Sequence, residues 1–74
     1  MNFYQATHFA QTEFGQEIAT AILGKLSLPC HTVTSIVTKA ALGDDTSRNL
    51  IKATYGEVNW FDVVAKYFPE KKSA

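Results

Sequence analysis

Seventy-four residues, 46% of them apolar and 19% charged, describe one globular domain and argue against a disordered chain. Seven basic and seven acidic side chains cancel, so no charged block marks nucleic acid, an anionic membrane surface or an acidic partner. The single cysteine, Cys30, cannot close an intrachain disulfide, and the start MNFYQATHF lacks the basic and apolar regions of a secretory signal.

No apolar run approaches the length of a membrane span, so a soluble, cytoplasmic protein is expected. A domain this small lies near the size at which one core barely outweighs chain entropy, which leaves monomer and homodimer both open. The expected division is one helical domain over residues 1–68 and a short polar tail over 69–74.

At the start, Asn2 can cap a helix with Gln5 three residues later, a capping-box pair. Phe3, Ala10, Phe14, Ile18, Ala21 and Ile22 then fall on one face at helical spacing, which predicts a long amphipathic helix over Phe3 to Leu26. Gln11 intrudes on that face, and Gly15 costs about 1 kcal/mol against alanine in a helix. A break near Gln11 to Gly15, with Thr12 as a new cap, is the main alternative.

Ser27-Leu28-Pro29 ends this segment, because proline restricts the residue before it and is tolerated only in a first helical turn. The following run is rich in β-branched residues, yet Val33, Ile36, Val37 and Ala40 sit at helical spacing and no period-two alternation is present. A helix over His31 to Leu42 with a threonine-rich exposed face is expected. Gly43 stands where a left-handed cap would end it, and Asp44 or Asp45 caps the next helix, Thr46 to Tyr55, which should bury Leu50, Ile51 and Tyr55.

Asn59 starts a last helix, Trp60 to Phe68, ended by Pro69. Apolar residues cover most of its circumference, so it should be a central plug of the core or part of an interface, with Trp60, Phe61 and Phe68 contributing most to stability. The fold class expected is therefore all-α, a small bundle of about four helices in which the long first helix packs on three shorter ones.

Among candidate sites, Val33 to Tyr55 has the outline of a helix-turn-helix. A DNA reader would present Thr46, Ser47, Arg48, Asn49 and Lys52 to phosphates and base edges. Lys39, Asp44 and Asn49 occupy positions where that motif asks for small or apolar residues, and two adjacent aspartates repel phosphates. Nucleic-acid binding is thus the alternative reading, disfavoured by the neutral charge.

Cys30, His31 and His8 do not have the spacing of a zinc site, and a Cys-His nucleophile pair lacks any oxyanion donors. Helix capping explains Asp44 or Asp45, and Asp62, with Glu57 a loop charge. No enzyme activity, cofactor or metal is expected.

The remaining feature is the aromatic stock, five Phe, three Tyr and one Trp in a small chain. Tyr4 lies at the frayed start of the first helix and Phe9 on its otherwise polar side, and surplus aromatics on a small domain can anchor an interface. The leading expectation is a non-enzymatic protein-binding module, a regulator, inhibitor or adaptor that docks on another protein through Tyr4, Phe9, Thr34 and Thr38. Short single-domain chains are common among phage and mobile-element accessory proteins, an association of size rather than of physics.

Overall fold

A cap, a break and a second cap shape the first third of the chain in a computed structural model that describes residues 2–67. Helix α1 (Phe3–Ala10) opens on the capping box: the Gln5 N–H donates to Asn2 Oδ1 at 2.8 Å and the Asn2 N–H donates to Gln5 Oε1 at 3.0 Å. It closes at Gln11, and Thr12 caps α2 (Glu13–Lys25) by accepting from the Gly15 N–H at 3.2 Å. The long first helix is therefore corrected to two.

The break is bridged by side-chain donors. Thr12 Oγ1 donates to the Phe9 carbonyl at 2.6 Å, and Gln16 Nε2 donates to that of Ala10 at 3.0 Å. Its consequence is a change of phase. Helix α1 alone buries Ala6, Phe9 and Ala10, while Phe3, expected on the buried stripe, is exposed.

Helix α3 (Cys30–Leu42) follows Pro29 and ends in a Schellman arrangement, with Gly43 at φ 109°. The Asp44 N–H returns to the Lys39 carbonyl at 3.0 Å, and the Gly43 N–H to that of Ala40 at 3.1 Å. Helix α4 (Asp45–Thr54) starts on the Asp44 cap, and α5 (Trp60–Tyr67) starts where Asn59 Oδ1 accepts from the Asp62 N–H at 3.2 Å. The described residues are thus all-helical, in five helices and without a strand.

The organising helix is α3, which packs on α1, α2 and α4 and buries Val33, Val37, Ala40 and Ala41. Ile18 and Ile22 of α2, Ile51 of α4 and Val63 of α5 complete the apolar interior. Alanines at 6, 10, 40 and 41 keep the helix contacts close, because interaxial distance follows side-chain size.

The last helix is not the central plug that its composition suggested. Val63 is its one buried residue among those described, and Phe61 is 83% exposed. Trp60 and Tyr67 attach it instead, through edge-to-face contacts with Phe9 at 6.1 and 5.5 Å between ring centroids. Phe68 and the tail from Pro69 lie outside the described residues. No helix among the described residues is long and apolar enough to cross a membrane.

Candidate binding surface

Of the four residues expected to meet a protein partner, the structure leaves Tyr4 in solvent at 83% exposure. Phe9 is wholly buried, a correction that follows from the break at Gln11: the side that looked polar on a continuous helix is the core side of α1. Its ring meets Phe14, Trp60 and Tyr67 edge to face.

Thr38 is corrected in the same way, because it is buried and its hydroxyl donates to the Thr34 carbonyl at 2.9 Å. Thr34 is half-buried, and its hydroxyl returns to the Cys30 carbonyl at 3.1 Å. Both threonines satisfy themselves within α3.

The five residues of the helix-turn-helix reading divide similarly. Ser47 is buried in the corner, where its N–H and hydroxyl donate to Asp44 Oδ2 at 2.9 and 2.8 Å. Those two bonds hold the Asp44 carboxyl below its ordinary range, so a fixed negative charge stands at the start of α4.

Arg48 is half-buried. Its Nε donates to the Ala40 carbonyl at 2.7 Å, and its guanidinium lies 5.2 Å from the centroid of the Trp60 ring. Thr46, Asn49 and Lys52 are exposed, and Lys52 reaches Glu57 at 3.8 Å in an open ion pair. Arg48 thus joins α4 to α3 and α5, while Ser47 closes the cap of α4 itself.

Cys30 and His31 are both exposed. Among the described residues no group of three His, Cys, Asp or Glu side chains is placed to hold a metal ion.

Two features escaped the sequence reading. The first is the set of solvent-facing rings, in which Phe3 (69% exposed) and Phe61 (83%) join Tyr4. Composition flagged the surplus but not which rings it comprised. The second is a groove of about 350 Å³ between α2 and the segment running from the end of α4 through α5.

Phe14, Tyr55, Val58, Val63 and Tyr67 give this groove its apolar wall, and Glu57, Asp62 and Lys66 stand along it. The Phe14 ring lies 6.0 Å from Tyr55, edge on, and 6.3 Å from Tyr67, nearly parallel. The Tyr55 hydroxyl donates to Glu17 Oε1 at 2.9 Å, a bond that raises the phenol above its ordinary value by favouring the protonated form. Only the folded chain joins positions 14, 55 and 67, so no local motif announces the groove.

No known family, curated protein or solved structure matches the chain.

Proposed function

We propose that this protein is a small non-enzymatic binding module that acts by docking on another protein. The observation that carries this reading is the exposure of Phe3, Tyr4 and Phe61 in a chain whose other described aromatics are at least half-buried. Large aromatic side chains kept in water are poor for solubility and are the side chains most enriched at the energetic centres of interfaces.

DNA reading by α4 is the weaker alternative. Arg48, its best base-reading side chain, is held by the Ala40 carbonyl and the Trp60 ring, and the Asp44 charge stands beside the face a phosphate would approach.

The test is quantitative recovery of partners on the tagged protein from its native host, comparing wild type with Tyr4→Ser and Phe61→Ser. A protein partner retained by wild type and lost from a variant with unchanged circular dichroism supports the reading. Equal recovery with both variants overturns the proposed face, and a salt-sensitive duplex DNA shift reduced by Lys52→Ala would favour the alternative.

A further inference from the structure

We propose that the groove between α2 and α5 receives a basic side chain, an arginine or lysine, carried by the protein partner. The inference rests on the protein-binding reading above and adds the chemistry of what is bound. Three aromatic rings, Phe14, Tyr55 and Tyr67, contribute to one concave site of about 350 Å³, at the small end of the range for ligand pockets. Aromatic faces attract cations through their quadrupole, and an arginine plane can also stack on them.

The charges nearby have the complementary sign. Glu57 and Asp62 line the groove, and Glu17 is tied to its Tyr55 hydroxyl at 2.9 Å. Against these three carboxylates stand Lys66 and Lys52, the latter paired with Glu57 at 3.8 Å in an exposed geometry that holds it weakly. Lys66 already shows what the site prefers, because its ammonium lies 5.5 Å from the centroid of the Tyr67 ring. An incoming guanidinium would displace that exposed ammonium and meet Asp62 and Glu57 as it enters. Lys66 therefore acts as an internal competitor, and its removal should strengthen binding rather than weaken it.

The probes are N-acetylarginine amide and its uncharged counterpart N-acetylnorleucine amide, titrated into the isotopically labelled full chain and followed by amide chemical shifts. The arginine probe is expected to move amides of residues 55–63 saturably and to bind about tenfold more tightly than norleucine, the combined worth of one exposed ion pair and one exposed cation–π contact. Asp62→Asn should weaken it by about two- to fivefold, and added salt should do the same. Lys66→Gln should tighten it by about two- to fivefold.

Equal affinity for the two probes overturns the proposal in favour of an apolar groove. The absence of a saturable shift, or weakening by Lys66→Gln, also overturns it. None of these outcomes touches the docking reading, which is tested separately by Tyr4→Ser and Phe61→Ser.

Discussion

One substitution made twice in the same helix tests the corner between α1 and α2. On helix propensity alone, alanine for glycine gains up to about 1 kcal/mol. At Gly24 a Cβ would meet nothing within 4 Å, so Gly24→Ala should stabilise by about 0.5 kcal/mol, reduced because the site is near the end of α2.

At Gly15 the same Cβ would sit against the Phe9 carbonyl oxygen, well inside van der Waals contact, and 2.9 Å from the Ala10 Cα. These are backbone atoms, which cannot rotate away, and the Phe9 carbonyl also accepts from Thr12. Overpacking of this kind costs about 1–3 kcal/mol, and here the upper end applies because a whole helix end must move.

After the propensity gain is subtracted, Gly15→Ala should destabilise by about 2 kcal/mol and lower Tm by about 8–16 °C, while Gly24→Ala raises it by about 2–4 °C. Far-UV circular dichroism during heating, with urea midpoints as a second measure, reads both. A Gly15→Ala protein as stable as wild type would refute the close approach of the two helices. So would an equal loss at Gly24.

Arg48→Met should cost about 2 kcal/mol, from the lost bond to the Ala40 carbonyl and the lost contact with Trp60, and Arg48→Lys should not restore it. Lys52→Met, which breaks only an exposed ion pair, should change stability by less than about 0.5 kcal/mol, and urea midpoints compare the two. Asp44 supplies the pH dependence. Its folded-state pKa lies below the ordinary 3.8, so its contribution is full above that value and is lost as pH falls through the lower folded value. The urea midpoints of wild type and Asp44→Ala should therefore differ near neutrality and converge in acid well below 3.8, whereas a constant gap would contradict the cap.

Local chemistry made the caps and the α3–α4 corner legible in advance. Asn2 with Gln5, Gly43 with Asp44, and Asn59 each act over three to five residues, and each sits where short-range hydrogen bonding puts it. The first helix misled because the stripe from Phe3 to Ile22 is continuous by period, while the decision to break belongs to Thr12 and to a contact between Gly15 and the end of α1. Gly15 read as a propensity defect and is a packing requirement. That single misphasing also placed Phe9 outside and Phe3 inside, the reverse of their positions. The groove was illegible for another reason: its rings come from α2, from the residue that ends α4 and from α5, and no spacing within one element encodes their meeting.

The aromatic surplus then resolves into two populations with different physical roles. Phe9, Phe14, Tyr55, Trp60 and Tyr67 form one connected cluster that ties α1, α2, the end of α4 and α5 together, so their number reflects the weak attachment of a last helix with one buried residue. Phe3, Tyr4 and Phe61 have no such structural reason, because each is more than two-thirds exposed. Phe3 and Phe9 lie six residues apart, about 9 Å along α1 at the helical rise. Phe61 follows Trp60, which meets Phe9 at 6.1 Å near the other end of α1, so the exposed rings belong to two helices, α1 and α5, that the buried cluster joins.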